Sequence, residues 1–237
     1  MKNKKSCTFL TLLVIALLAG SCIIGIKGSG RVVKNERISE TFESIVVSAG
    51  LEVILLQDSI LKIIVEADDN LQEIIKTEVS NGKLKIFPEE RIKSAAAKRI
   101  YVTFKDINSL KASSGSEIKS DRELRLSALQ LSASSGARVE LDLAVIKLMV
   151  EGSSGGDITL SGSAESLDID GSSGAVIKAS DLPGKTCNAG ASSGANLKIF
   201  VSEKINAKVS SGGNIKVSGN PKERNVEKSS GGNVSFN

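Results

Sequence analysis

Apolar and polar residues alternate at a step of two along most of the chain, and the alternation itself repeats. One series of apolar pairs reads Leu129/Leu131, Leu148/Val150, Leu167/Ile169, Cys187/Ala189 and Ile205/Ala207. A second reads Ile118/Ser120, Val139/Leu141, Ile158/Leu160, Ile177/Ala179, Leu197/Ile199, Ile215/Val217 and Val234/Phe236. A period of two puts one face of a strand on a core and the other in water, whereas a helix would repeat at 3.6. Between the series stands Ser-Ser-Gly, seven times, beginning at Ser113, Ser134, Ser153, Ser172, Ser192, Ser210 and Ser229, with spacings of 21, 19, 19, 20, 18 and 19 residues. A fixed period of this size means one small unit stacked on copies of itself, because no single unit buries its own apolar face. The pattern predicts an all-β fold whose strand-turn-strand coils stack as parallel rungs about 4.8 Å apart.

Stacking converts sequence positions into columns. Gly115, Gly136, Gly155, Gly174, Gly194, Gly212 and Gly231 then share a corner, where glycine supplies a positive φ at the lowest steric cost. The paired serine hydroxyls are expected to satisfy backbone groups of the turn. A catalytic serine would need a general base beside it, and the chain has no His, which also removes His-ligated zinc.

The preceding residues lack Ser-Ser-Gly but read as strands at 45–47, 51–56, 61–65, 83–87 and 100–104, with a turn at Asn81-Gly82. Asp68-Asp69-Asn70 is placed to cap one short helix near residues 69–78, with Leu71, Ile74 and Ile75 on one face, covering either part of the coil or its open end. Residues 88–99 read as a surface loop, and residues 22–31 as a Gly-rich tether.

The chain opens with a basic Lys2, Lys4, Lys5 region and a short apolar run, ending in Leu18-Ala19-Gly20-Ser21-Cys22. This reads as a lipoprotein signal peptide over residues 1–21, with Cys22 as the lipidated first residue of the mature protein, against the alternative of an ordinary signal peptide. Without the three leader lysines, 28 basic residues face 27 acidic ones, so nothing points to nucleic acid. Cys187 falls in a leucine column, as a small core residue would. Only 3% of residues are aromatic and Trp is absent, which suits a narrow core of Ile, Val, Leu and Ala.

Three outward sets are candidate sites. Lys178, Lys198 and Lys216 fall in one column and are expected to form a cationic stripe for a partner, or simply a solvated face. Glu151, Asp157, Asp168 and Asp170 are the candidate metal ligands, Glu151 and Asp170 sharing a column where like charges favour a hard cation between them. Asn196, Asn214 and Asn233 predict a structural amide ladder. No catalytic residue and no cofactor is assigned.

The order Phe42-Glu-Ser-Ile45-Val-Val-Ser, Leu51-Glu-Val53, Ala67-Asp-Asp-Asn-Leu71 and Asn81-Gly-Lys-Leu84-Lys-Ile86, followed by repeated Ser-Ser-Gly, resembles the bacterial family called putative auto-transporter adhesin, head GIN domain. The resemblance covers about residues 37–237. It implies a single-stranded parallel, right-handed, pectin-lyase-like β-helix over residues 32–237, and an exported protein of the Bacteroidetes type. The expected function is a non-catalytic, adhesin-like binding module of the cell envelope or outer membrane. Its partners would be the membrane, through the lipid, and an unknown glycan or protein, with homo-oligomers allowed. The alternatives are a polysaccharide-active β-helix enzyme and a purely structural envelope protein. Missing His, missing Trp and small residues on the repeat faces weigh against the enzyme.

Overall fold

A computed structural model describes residues 25–237, so the leader and Cys22 lie outside the described residues. The strands begin with β1 (Ile26–Lys27), β2 (Val32–Arg37), β3 (Ser44–Val47), β4 (Glu52–Gln57), β5 (Lys62–Asp68), β6 (Ile75–Ser80) and β7 (Lys83–Pro88). They continue with β8 (Ile92–Ser94), β9 (Lys98–Phe104), β10 (Ser109–Ala112), β11 (Glu117–Ser120) and β12 (Leu124–Ala133). Four long bent strands follow, β13 (Arg138–Gly152), β14 (Asp157–Gly171), β15 (Val176–Ala191) and β16 (Asn196–Val209), before β17 (Asn214–Ser218), β18 (Glu223–Lys228) and β19 (Asn233–Phe236).

These strands build the expected stack of parallel coils. Ahead of each Ser-Ser-Gly corner, face A stacks β7, β3, β10, β12, the C-terminal halves of β13 to β16, and β18. After each corner, face B stacks β9, β4, β11, the N-terminal halves of β13 to β16, then β17 and β19. The alternating apolar residues point inward and fill one continuous core, with Val53, Ile118, Val139, Ile158, Ile177, Leu197 and Ile215 all fully buried in a single column.

Each corner is a type I′ turn. At Ser114-Gly115 the φ values are 52° and 70°, and at Ser173-Gly174 they are 49° and 73°. The residue after Gly donates its N–H to the first Ser carbonyl, at 2.8 Å for Gly213 to Ser210 and 3.2 Å for Ser116 to Ser113. The corner glycine also donates to the second Ser carbonyl of the next coil, as from Gly174 to Ser193 at 3.0 Å. The ladder thus runs through the bend, and backbone groups do the bonding expected of the serine hydroxyls. The positive φ of the second serine was not legible from the repeat, since Asn or Gly is the usual occupant; nothing in the structure explains the choice of Ser. Ser48-Ala49-Gly50 makes the same turn, with φ of 57° at Ala49 and 73° at Gly50. It is a degenerate corner that a search for Ser-Ser-Gly misses.

Three expectations for the first third of the chain are corrected. The helix expected near residues 69–78 is a single 3₁₀ turn over Asp69–Leu71, and β6 begins at Ile75. Pairing of β6 with β7 across the Asn81-Gly82 turn buries Ile75 and overrides the local helical pattern. The stretch 88–99 is not a loop, because it holds β8 and the start of β9. Nor is the Gly-rich tether of residues 22–31 free, since from Gly25 onward it is docked: β1 pairs with β8, and fully buried Asp68 accepts N–H groups of Gly30, Ala96 and Ala97 at 2.8, 2.9 and 2.9 Å. Those amides, Ala97 foremost, hold the Asp68 carboxyl below its usual range in spite of burial.

The two ends of the stack are finished differently. At the N-terminal end, β2 and β5 continue face B as antiparallel strands beyond β9, and β6 does the same for face A beyond β7. At the C-terminal end, the inward positions held by Ile205 and Val209 one coil earlier become Arg224 and Lys228. The Arg224 guanidinium lies 4.4 Å from the Phe236 ring centroid, and Lys228 Nζ donates to the Val234 carbonyl at 2.9 Å. Charged groups facing inward on a final rung make it a poor template for another strand.

Two outcomes test this architecture. Gly174→Val should cost about 1–3 kcal/mol in urea melts, all of it backbone strain, because a Cβ at Gly174 meets nothing within 4 Å; the same change at Gly231, on the last coil, should cost less. The double change Arg224→Leu with Lys228→Leu should make the protein associate more strongly than its parent in light scattering, and no change would mean that these side chains do not guard the open end.

Candidate functional site

Face A carries a concave surface over its C-terminal half, a groove of about 930 Å³. Its cause lies inside the coil. The last inward position before the corner is Gly152, Gly171 and Ala191 on successive rungs, and a Cβ at Gly171 would stand 2.6 Å from Leu197 Cδ1 of the opposing face. Small residues let the two faces approach, so the outer surface sinks.

Two outward columns furnish the groove. One runs Ser132, Glu151, Asp170, Gly190, Lys208 and Glu227; the other runs Gln130, Met149, Asp168, Asn188, Asn206 and Asn225. Gly190 leaves a gap in the first, and Asp170 leans across it, its Oδ1 lying 2.0 Å from where a Cβ at Gly190 would be. The second column ends in an amide ladder: Asn206 Nδ2 donates to Asn188 Oδ1 at 2.8 Å, and Asn225 Nδ2 to Asn206 Oδ1 at 2.9 Å.

Glu151, Asp168 and Asp170 converge at one end of this groove. Partial burial raises the Asp170 pKa above the ordinary value, with Asp168 and then Glu151 adding repulsion. Lys208, the cation of the same column, pairs with Glu227 at 3.1 Å. Beneath the carboxylates, buried Cys187 has its pKa pushed up to about 12 by burial first and by Asp168 and Asp170 next, so it is a protonated core residue.

The four-residue metal set is corrected here. Asp157 lies past the corner on face B, in register with Arg138 and Val176, with Lys178 Nζ 3.1 Å from its Oδ1. Five residues, Gly152 to Gly156, separate it in sequence from Glu151, and the corner turns that short separation into two different faces. Among the described residues, no group of three or more His, Cys, Asp or Glu is placed to hold a metal ion.

Lys178, Lys198 and Lys216 do stand in one exposed column of face B, paired in register rung to rung. Of the expected Asn ladder, Asn233 Nδ2 donates to Asn214 Oδ1 at 3.0 Å, while Asn196 bonds the Gly194 carbonyl instead. The stronger ladder on face A was missed. Asn188, Asn206 and Asn225 occupy equivalent places in their coils, and aligning the repeats upstream of Ser-Ser-Gly would have found them, together with the inward run of Gly and Ala.

Stacked parallel coils with a polar groove on one face define a β-solenoid. The chain belongs to the family described as putative auto-transporter adhesin, head GIN domain, whose profile matches residues 41–221. Its fold is similar to that of a putative adhesin from Bacteroides fragilis, with a TM-score of 0.84 and 19% identity over 90% of this chain and 100% of the other. A putative adhesin from Parabacteroides merdae gives 0.71 and 18%, over 90% and 98%. A putative lipid binding protein from Parabacteroides distasonis gives 0.68 and 19%, over 90% and 99%. At these identities the likeness shows the fold alone. No curated protein matches the chain.

The raised Asp170 pKa has a definite sign. Protonation is easier in the folded than in the unfolded chain, so ionised Asp170 weakens the fold at neutral pH, and the penalty is relieved as pH falls through the folded value. Asp170→Asn should therefore stabilise the protein slightly at pH 7, by about 0.5 kcal/mol or less for so exposed a group, and the gain should fade in acid. A destabilised variant at neutral pH would show that Asp170 has a favourable partner.

Proposed function

We propose that this protein is an exported, lipid-anchored and non-catalytic binding module of the bacterial envelope, which holds a glycan segment in the face A groove. Family membership supports an adhesin-like role at or beyond the cell surface. Among the described residues no helix is long and apolar enough to cross a membrane; the proposed attachment is lipid on Cys22. The groove carries the ligand assignment. Its volume of about 930 Å³ suits a few sugar units, and its carboxylates and amides are the groups that bond paired hydroxyls. The exposed lysine column on face B offers a second, broader contact with the same or another partner.

A polysaccharide-active enzyme is the second reading, favoured by one observation: Glu151, Asp168 and Asp170 converge, and Asp170 holds its proton more tightly than usual. Such enzymes need two carboxylates flanking the scissile bond, and Glu151 and Asp170 stand on adjacent rungs of one face.

A glycan and matrix-protein array probed with residues 25–237 tests the proposal. Starting at residue 25 keeps β1 and the bond from Gly30 to Asp68. Binding to glycans should fall when Gly190→Leu fills the groove. Ala substitutions at Lys178, Lys198 and Lys216 should each weaken partner binding modestly and together weaken it further, with the melting curve unchanged. Turnover of a polysaccharide that Asp170→Asn abolishes would favour the enzyme. Mass spectrometry of the native protein should show an acylated N-terminal Cys22, and an unmodified internal Cys22 would remove the anchor.

A further inference from the structure

We infer that the N-terminal end of the solenoid is a membrane-facing base, on which the protein stands against an anionic lipid surface with its last coils outermost. This rests on the lipid anchor proposed above and adds which surface meets the bilayer. The first observation is the absence of slack. The chain is docked from Gly25 onward, where Ile26 N–H donates to the Arg91 carbonyl and Gly28 N–H to the Ser94 carbonyl, each at 2.8 Å. A side chain at position 28 has no room, because a Cβ there would lie 2.1 Å from Asp68 Oδ2. The link from Cys22 to Gly25 then spans at most about 10 Å when fully extended. The stack from the β7/β9 rung to the β18/β19 rung rises about 40 Å. Whatever holds Cys22 in a bilayer holds the β1/β8 corner of the solenoid close to it.

The second observation is the chemistry of that end. Arg91, just before β8, and Lys93, on β8, lie against Gly25, where the described chain begins, and Lys27 follows two residues later on β1. Of the neighbouring acids, Glu89 is held by Lys76 at 3.2 Å, and Glu90 is exposed. Clustered basic side chains beside a lipid anchor are drawn to anionic headgroups. Among the described residues, two of the five exposed large apolar side chains belong to this end, Val32 at the start of β2 and Ile38 just past its end, β2 being the outermost strand of face B there. A lipid interface would cover both. The groove, the Asn188 ladder and the lysine column all lie on later coils, which this orientation carries away from the bilayer.

The sequence contains no Trp, so a single introduced Trp is an unambiguous reporter. Ser94→Trp marks the base and Lys222→Trp the last coil, both at exposed positions. Each variant begins at Cys22 and is coupled there to a thiol-reactive lipid, buried Cys187 being protonated and protected. Coupling makes the test independent of natural acylation, so loss of the anchor reading by mass spectrometry and failure of the present inference are separate results. In phosphatidylcholine vesicles containing phosphatidylglycerol and a dansyl-labelled headgroup lipid, energy transfer from residue 94 should exceed that from residue 222 several-fold. Equal transfer, as from a solenoid lying on its side, or stronger transfer from residue 222 would overturn the inference. Lys27→Glu with Lys93→Glu should reduce transfer from residue 94 in these vesicles but not in phosphatidylcholine alone; an unchanged signal would overturn the role of the basic patch.

Discussion

The parallel backbone ladder that continues through the type I′ corner is the constraint on which the rest of this structure depends. A coil can stack on its neighbour only if it turns at the same place, since a slip of one residue would carry every apolar side chain to the outer face. The αL pair at each corner fixes that place with bonds both within the turn and to the next coil. Coil length is free to vary elsewhere. The 20-residue coil from Ser172 to Ser192 takes up its excess in register shifts between Ala179 and Thr186, opposite the corner, and the pairing is regular again from Cys187. Length variation in the repeat is therefore absorbed at the bend where no ladder bond has to match.

A stack held by edge-to-edge pairing has two ends that could pair with anything, and this chain treats them differently. The N-terminal end is covered by antiparallel strands that the chain adds by doubling back between its first coil and its second. That excursion also helps to make the dock for residues 25–31, because Asp68 ends its strand β5, and β8 of the coil that follows supplies the rest. The C-terminal end has no covering element and relies on Arg224 and Lys228 turned inward. One end is thus capped by paired backbone and the other is blocked by charge.

The groove follows from the same register. Outward residues are brought into columns by pairing alone, but a concave surface needs the two faces to come together, and Gly152, Gly171 and Ala191 allow that. The carboxylates that converge there are brought together by coils 19 residues apart, not by any local motif. Their mutual repulsion is tolerated because the groove is open to water, which screens all but the partly buried Asp170.

The alternation of apolar residues and the spacing of Ser-Ser-Gly determined the parallel stack, the glycine corners, the core columns, the lysine column and the buried place of Cys187, because each of these depends only on a period that the sequence displays. The first third of the chain was less legible. Its corner at Ser48-Ala49-Gly50 lacks the motif, and its local helical pattern at residues 69–78 lost to strand pairing between β6 and β7. Tertiary structure alone decided that Asp157 faces away from Glu151 and Asp170, that the Gly-rich segment is docked, and that face A is concave. Each of those depends on which side of a corner a residue falls or on how closely two faces approach, and a one-dimensional period records neither.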